Sequence, residues 1–156
     1  MSDDHLTDLY QEIILDHNRH PKNKYVMKDP THVADGFNPL CGDEIFIYVK
    51  APNETIEEIS FSGQGCAISQ ASASLLIASL KGKSLTEAIN IFTEVNTILT
   101  SEDDPDCDLA KVGDLAALAG VRKFPARIKC ATLAWHTYNN AINHKKSAST
   151  ESGSSA

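Results

Sequence analysis

Two β-rich segments in the first half of the chain set the strongest limit on its fold. EIFIYVK (residues 44–50) and TIEEISFSG (residues 55–63) are rich in β-branched and aromatic residues, which favour strands. The turn-forming sequence APNE separates them, and this spacing is typical of an antiparallel hairpin. A weaker strand pattern lies around residues 30–37. We therefore expect a small antiparallel sheet of three strands.

Helical patterns occupy most of the remaining chain. The predicted helices cover residues 4–19, 66–82, 84–99, 108–120 and 125–143. Ser84 and Glu87 form a capping box, and Pro125 suits the first position of a helix. These patterns predict a single domain over residues 1–144. Residues 145–156 contain no apolar side chain larger than alanine, so we expect a disordered tail there.

Charge and composition argue against two classes of partner. The chain has a formal net charge of -7 and no cluster of Lys and Arg, whereas nucleic acids and anionic membranes attract basic surfaces. No apolar run approaches the roughly 20 residues needed to span a bilayer. The first ten residues are acidic and polar, unlike a secretory signal. We therefore expect a cytoplasmic protein that binds neither nucleic acid nor membrane.

The chain has four cysteines, at positions 41, 66, 107 and 130. In a reducing compartment a disulfide framework is not expected, so metal binding, thiol chemistry and core packing remain as their roles. No C-x-x-C pair is present, so spacing alone does not identify a zinc finger or a redox motif. The local context of each cysteine must therefore decide its role.

Cys41 and Asp43 flank Gly42 in the sequence NPLCGDEI, where a turn is expected to lead into a strand. Residues i and i+2 of a strand lie on one face, and Gly42 relaxes the backbone between them. Cys41 and Asp43 can therefore approach a common atom, as two metal ligands would. The alternative is an ordinary polar turn.

Cys66 and Cys130 are both predicted near the beginning of helices. Cys66 follows a strand and two glycines, and a helix N-terminus stabilises a thiolate there. Cys130 lies in the first two turns of the last helix, three residues after Arg127 and next to Lys129. For each cysteine the alternative is a thiol packed in the core. In Cys130's case, Arg127 and Lys129 would then belong to a solvated helix face.

Taken together, the three thiolates and the carboxylate of Asp43 are able to bind Zn²⁺ tetrahedrally. Such a site has a net charge of about -2, which the cations of Arg127 and Lys129 would offset. Arg127 and Lys129 are therefore predicted to give electrostatic support. The alternatives named for each cysteine stay open on these grounds.

The fourth cysteine and the histidines are expected to lie outside this chemistry. Cys107 is surrounded by aspartates in SEDDPDCDLA, a negative field that makes a thiol a poor nucleophile. His136 lies six residues after Cys130, on a different face of the same helix. His17 and His20 lie near the end of the first helix and are expected to be solvated.

Three motifs, in this order, resemble those of the U-type iron–sulfur cluster assembly proteins, the IscU/NifU N-terminal family. They are NPLCGDEI, FSGQGCAISQASASLL and FPARIKCATLAW, and the N-terminal LYQEIILDHNRHPKN is also similar to that family's first helix. The resemblance covers nearly the whole chain except the tail. It implies an α+β fold in which the small three-stranded antiparallel sheet packs against the N-terminal helix and a cluster of C-terminal helices. It also implies a metal site formed by Cys41, Asp43, Cys66 and Cys130.

Two departures from the scaffold-type members indicate the SufU branch of this family. Scaffold-type members have a histidine immediately before the third cysteine, where this chain has Lys129. The segment between Cys66 and Cys130 is also longer than theirs. Membership of this branch implies a zinc-dependent sulfur acceptor that takes persulfide sulfur from a SufS-type cysteine desulfurase and serves the downstream iron–sulfur assembly machinery.

The position of Cys41 indicates which cysteine accepts the sulfur. Cys66 and Cys130 are expected on or beside helices, where the backbone restricts them, whereas Cys41 lies in a turn before Gly42 and moves at least conformational cost. We therefore predict Cys41 as the catalytic acceptor. Two other functions remain: an assembly scaffold that holds iron or a transient [2Fe–2S] cluster, and a structural zinc domain without chemistry.

Overall fold

The predicted hairpin forms the centre of the sheet in the computed structural model, which describes residues 3–100, 109–143 and 147–149. The elements in chain order are helix α1 (Asp3–Arg19), strands β1 (His32–Asn38), β2 (Asp43–Lys50) and β3 (Glu58–Gln64), helices α2 (Ala67–Leu80) and α3 (Leu85–Thr100), a 3₁₀ segment (Leu109–Lys123), helix α4 (Pro125–Ile142) and strand β4 (Ser147–Ser149). The predicted α+β class and the three antiparallel strands are confirmed.

The register of the sheet brings three chain segments together at one end. Strand β2 pairs antiparallel with β1 on one side and with β3 on the other. Asn38 lies opposite Asp43, and Glu44 lies opposite Gln64. The end of β1, the start of β2 and the end of β3 therefore meet at the same end of the sheet. The turn that contains Cys41 and the junction that contains Cys66 lie next to it.

Helices α2 and α4 cover one face of this sheet. On β2 the alternate residues Ile45, Ile47 and Val49 are fully buried, as expected of a strand with one face in the core. Helix α4 packs on β1 and β2, and α2 packs on α4 and α1. The indole Nε1 of Trp135 donates a hydrogen bond of 3.0 Å to Ser72 Oγ between these helices. This contact joins α4 to α2 where both helices lie on the sheet.

The predicted helix boundaries agree with the structure at most ends. The capping box that begins α3 is formed, because Ser84 N donates to Glu87 Oε1 at 2.9 Å and Glu87 N donates to Ser84 Oγ at 3.0 Å. Helix α4 begins at Pro125, as predicted. No helix among the described residues is long and apolar enough to cross a bilayer.

Two segments differ from the sequence-based expectations. The helix expected over residues 108–120 is a 3₁₀ segment that reaches Lys123 and is interrupted at Gly113, where φ is 60° and ψ is -133°. A residue without a side chain adopts this backbone conformation readily, which explains the break. Within the tail expected to be disordered, residues 147–149 pair in parallel with the edge of β1 at Asp35 to Phe37. The other tail residues, and Cys107 with its aspartates at positions 103–108, lie outside the described residues.

The prediction that His17 is solvated is wrong. His17 is buried between α1, α2 and the 3₁₀ segment, with its Nδ1 2.7 Å from Ser74 Oγ and its Nε2 4.0 Å from Asp114 Oδ2. The sequence placed His17 near a helix end but did not reveal that Ser74 would offer a buried partner. Burial lowers the pKa of His17 below the usual 6.5. His20, three residues later, is exposed as expected.

The buried His17 makes the stability of the fold depend on pH. Because the pKa of His17 is lower in the folded than in the unfolded chain, the unfolded chain binds more protons between these two values. The contribution of His17 is therefore fully present above the unfolded pKa and is lost as the pH falls towards the folded pKa. We predict that the free energy of unfolding decreases from about pH 8 to about pH 5, and decreases less in His17→Asn. Urea denaturation at several pH values measures this, with His20→Asn as the control; equal slopes for all three proteins would contradict it.

Candidate metal centre

Cys41, Asp43 and Cys130 form a cluster at the end of the sheet where β1 ends and β2 begins. One possible ligand atom from each residue lies within 4.8 Å of the other two. The Sγ atoms of Cys41 and Cys130 are 3.4 Å apart, and both cysteines are free thiols. Cys41 is exposed in the turn between β1 and β2, whereas Asp43 and Cys130 are buried. Gly42 has φ of 70°, the left-handed conformation that glycine adopts without strain.

Cys66 lies beside this cluster and links it to α2. It is the N-cap residue of α2, as its position after the glycines predicts, and its Sγ accepts a hydrogen bond of 3.4 Å from Ser69 N. Its own backbone N–H donates to Asp43 Oδ1 at 2.8 Å. Cys66 is outside the group whose ligand atoms all lie within 4.8 Å. The structure therefore brings three of the four predicted ligands together and places the fourth next to them.

The buried carboxylate of Asp43 is held by a donor on each oxygen. Cys66 N–H binds Oδ1, and the amide Nδ2 of Asn38 donates to Oδ2 at 3.1 Å. A buried carboxylate is stable only when such donors replace water. Each oxygen accepts more than one hydrogen bond or metal contact, so the orientation of Asp43 is fixed while it remains able to bind a cation.

The two glycines before Cys66 permit this close approach. A Cβ atom at Gly65 would lie 2.5 Å from Asp43 Oδ1 and 2.8 Å from Ser69 Oγ. At Gly63, which has φ of 119°, a Cβ atom would lie 2.0 Å from the backbone oxygen of Glu44. Any larger residue at these positions would push the β3–α2 junction away from β2. Close packing around Asp43 and the backbone of β2 therefore requires glycine at both positions.

The electrostatic properties of the cluster fit a site for a cation. Burial raises the pKa of the Cys130 thiol, and the neighbouring Cys41, Asp43 and Cys66 raise it further. A guanidinium nitrogen of Arg127 lies 3.7 Å from Cys41 Sγ. A hydrogen bond with Cys130 and the negative charge of the cysteines raise the pKa of Arg127. Lys129 is half-buried on the same helix.

The donor set is suited to a metal that accepts both sulfur and oxygen. Thiolates with one carboxylate match the ligand preferences of Zn²⁺, whereas Mg²⁺ and Ca²⁺ prefer oxygen ligands. Within the residues that the structure describes, this is the single group of three or more His, Cys, Asp or Glu side chains close enough to share an ion. The ring of His136 packs edge-on against Phe92 at 6.0 Å between centroids, as a residue on another face of α4 should.

Sequence reasoning missed Asn38, which is fully buried and touches two residues of the cluster. A signal was present in the sequence. If residues 32–38 form a strand, Ala34, Gly36 and Asn38 lie on one face, and a polar residue on a core-facing position needs a buried partner. The strand pattern there was too weak to fix which face points inward.

Two relatives are similar in sequence over most of the chain. A zinc-dependent sulfurtransferase SufU from Bacillus subtilis is 41% identical over 138 residues, which cover 88% of this chain and 91% of that protein. An iron–sulfur cluster assembly scaffold protein IscU from Streptococcus pyogenes is 36% identical over 143 residues, or 92% and 88% of the two chains.

A solved structure extends the agreement to the fold. A putative iron–sulfur cluster assembly scaffold protein for the SUF system from Fervidobacterium islandicum superposes with a TM-score of 0.77 at 30% identity, covering 84% of this chain and 94% of that one. Residues 9–131 match the model of the NifU-like N-terminal domain. This chain therefore belongs to the NifU-like N-terminal domain family, as the three cysteine motifs indicated.

Proposed function

We propose that the protein is a zinc-dependent sulfur acceptor, a sulfurtransferase of iron–sulfur cluster assembly. The observation that carries the proposal is the pairing of an exposed thiol, Cys41, with the buried Asp43 and Cys130 within 4.8 Å. The relative from Bacillus subtilis, a zinc-dependent sulfurtransferase, supports it at 41% identity. Such a cluster combines a reactive group that a partner can reach with ligands that a partner cannot reach.

We propose Cys41, Asp43, Cys66 and Cys130 as the residues that hold zinc. Three of them already lie close enough to share an ion, and Cys66 reaches the cluster through its hydrogen bond to Asp43. Zinc supplies one chemical effect, which is to keep its cysteine ligands deprotonated at neutral pH. The raised pKa of Cys130 makes this effect necessary for a thiolate at that buried position.

Cys41 is the proposed sulfur acceptor. It is exposed, in a turn next to a glycine with positive φ, so its side chain changes position at low conformational cost. In the transfer, the Cys41 thiolate attacks the outer sulfur of a persulfide on a SufS-type cysteine desulfurase. The new bond joins Cys41 Sγ to that sulfur, the old sulfur–sulfur bond breaks, and the desulfurase cysteine leaves as a thiolate. The sulfur carried by Cys41 then passes to the downstream assembly machinery.

Arg127 is proposed to stabilise the negative charge of the Cys41 thiolate. Its side chain is exposed and lies within 3.7 Å of Cys41 Sγ. A guanidinium group is always charged at physiological pH, so it attracts the anionic persulfide to this point. Lys129 is proposed to add positive charge on the same helix.

A cluster scaffold is the second candidate function. The relative from Streptococcus pyogenes, a scaffold protein, is 36% identical over most of both chains, and three cysteines with an aspartate are able to hold a [2Fe–2S] cluster. Metal content separates the two functions, because an iron–sulfur cluster absorbs visible light and zinc is colourless. The Lys129 position favours the sulfur acceptor, since a protonated amine is not a metal ligand.

The first prediction of the proposed function tests the acceptor role. After incubation with a SufS-type desulfurase and cysteine, a mass increase of about 32 Da on Cys41 is expected, as for one sulfur added by thiol exchange. Peptide mapping by mass spectrometry locates it. Cys41→Ser should gain no sulfur, whereas Cys107→Ser should behave as the wild type. Zinc analysis on the same preparation should give about one Zn²⁺ per chain. Sulfur found first on Cys130, or an active Cys41→Ser protein, would overturn the assignment.

The second prediction tests the charge beside Cys41. Arg127→Glu is expected to slow sulfur transfer by about tenfold, because an attractive charge at the reacting thiol becomes repulsive. Lys81→Glu makes the same charge change at an exposed position at the end of α2 and serves as the control. The rates follow from quenched mass spectrometry at low salt. Equal rates for the two variants would remove Arg127 from the site.

The third prediction tests the close approach at Gly65. Gly65→Ala places a methyl group against Asp43 Oδ1, so the carboxylate must shift and zinc affinity should fall by about tenfold or more, the scale of a disturbed ligand environment. Gly120→Ala is the matched control, since a Cβ atom at Gly120 meets nothing within 4 Å. Competition with a chromogenic chelator measures both. Wild-type affinity in Gly65→Ala would mean that Asp43 does not bind the metal.

A further inference from the structure

The four proposed ligands differ in how firmly the surrounding protein holds them. Asp43 accepts hydrogen bonds on both oxygens, and Cys66 Sγ accepts one from a helix backbone. Cys130 is buried and accepts one from a buried amide. The described hydrogen bonds of Cys41 Sγ come from the side chains of Cys130 and of the exposed Arg127. The residue that creates most of this difference is Asn38.

Asn38 uses both ends of its carboxamide at the site. Its Nδ2 donates to Asp43 Oδ2 at 3.1 Å and to Cys130 Sγ at 3.5 Å. Its Oδ1 accepts a hydrogen bond of 3.3 Å from Leu40 N, in the turn just before Cys41. An amide nitrogen has two hydrogens, so both donations are possible at once. The acceptor at the other end fixes which way the amide points.

The position of Asn38 makes this arrangement rigid. Asn38 is the last residue of β1, is fully buried, and lies opposite Asp43 in the sheet register. The backbone that carries the donor is therefore part of the same ladder as the backbone that carries the acceptor. Asn38 joins β1, the start of β2 and the start of α4 at one point.

We propose that Asn38 is the positioning residue of the metal centre, which orients Asp43 and Cys130 as permanent ligands and leaves Cys41 as the mobile one. This inference rests on the proposed function and deepens it. Asn38 acts through Asp43 and Cys130, to which its amide donates. Hydrogen bonds from outer residues orient metal ligands and tune their basicity, and their loss commonly weakens metal binding about 10–100-fold.

The test uses an uncharged variant of nearly equal volume. Asn38→Leu removes the NH₂ donor, so Asp43 and Cys130 lose their hydrogen bonds, and it adds no charge beside Asp43. Thr137→Val is the matched control, because Thr137 is fully buried in α4 and donates its hydroxyl to Leu133 O at 2.7 Å, away from the cluster. Each variant replaces one buried polar side chain by an apolar side chain of similar size.

Two readouts on the purified proteins separate positioning from simple stability. Zinc affinity by chelator competition should fall about 10–100-fold in Asn38→Leu and stay unchanged in Thr137→Val. After loading with Co²⁺, the thiolate-to-cobalt absorption bands should shift in Asn38→Leu and coincide with those of the wild type in Thr137→Val. Melting temperatures of the metal-free proteins report the structural effect of each change separately.

The outcomes are distinct. Unchanged affinity and an unchanged cobalt spectrum in Asn38→Leu would overturn this inference and leave the proposed function intact. A wild-type chain that binds neither Zn²⁺ nor Co²⁺ would overturn both. If Asn38→Leu does not fold, the wild-type protein decides: the Asn38 side-chain NH₂ signals in a ¹⁵N-labelled sample should shift when Zn²⁺ binds and should exchange slowly with solvent. Side-chain NH₂ signals of Asn38 that do not shift when Zn²⁺ binds would contradict the proposal.

Discussion

The buried carboxylate of Asp43 is the group on which the arrangement of this molecule depends. A carboxylate without water is stable only if donors replace it, and here the donors come from Asn38 at the end of β1 and from the N–H of Cys66 at the start of α2. Each donor lies on a different chain segment, so the carboxylate connects the sheet to the helix that follows it. The glycine at position 65 is a consequence, because a side chain there would occupy the space of the Asp43 oxygen. The same contacts that satisfy this charge bring the cysteines within reach of one another.

Burial then divides the cysteines into two kinds. Cys130 lies beneath the surface on α4, where burial raises its pKa and keeps its sulfur out of reach of a partner. Cys41 is exposed on a turn, with a guanidinium group beside it. In the proposed transfer, a partner enzyme with a persulfide therefore meets Cys41 first. The difference between the two cysteines comes from their positions in the fold, since Cys41 lies in an exposed turn whereas Cys130 lies on the buried face of α4.

The sequence was sufficient for the elements and for most of the site, and the reasons are local. The hairpin, the capping box at Ser84 and the helix that starts at Pro125 are each specified by neighbouring residues. Two of the cysteine motifs lie at junctions between elements, and the third lies in the first turns of α4. The features that were missed depend on residues distant in the chain. His17 is buried because Ser74, 57 positions away, offers a partner, and Asn38 is significant because Cys130, 92 positions away, lies against it. The break at Gly113 and the pairing of residues 147–149 with β1 also depend on the surrounding structure and not on local pattern.

The geometry suits the proposed role of a sulfur carrier, because one thiol is exposed to accept sulfur while the other ligands are held in place. A carrier must expose a thiol long enough to receive sulfur and must keep its shape while that thiol is away from the others. Asp43 and Cys130 are held by Asn38, and Cys66 is held by Ser69 N–H, so their positions do not depend on Cys41. Loss of one ligand from a closed tetrahedral site leaves three, which is the number that protein usually supplies where a zinc site keeps an open position for chemistry. The proposed chemistry therefore follows from unequal support. The ligands that accept hydrogen bonds from the backbone or from Asn38 preserve the site. The sulfur of Cys41 accepts from the neighbouring Cys130 and the exposed Arg127 in the described contacts, and it is the ligand available for transfer.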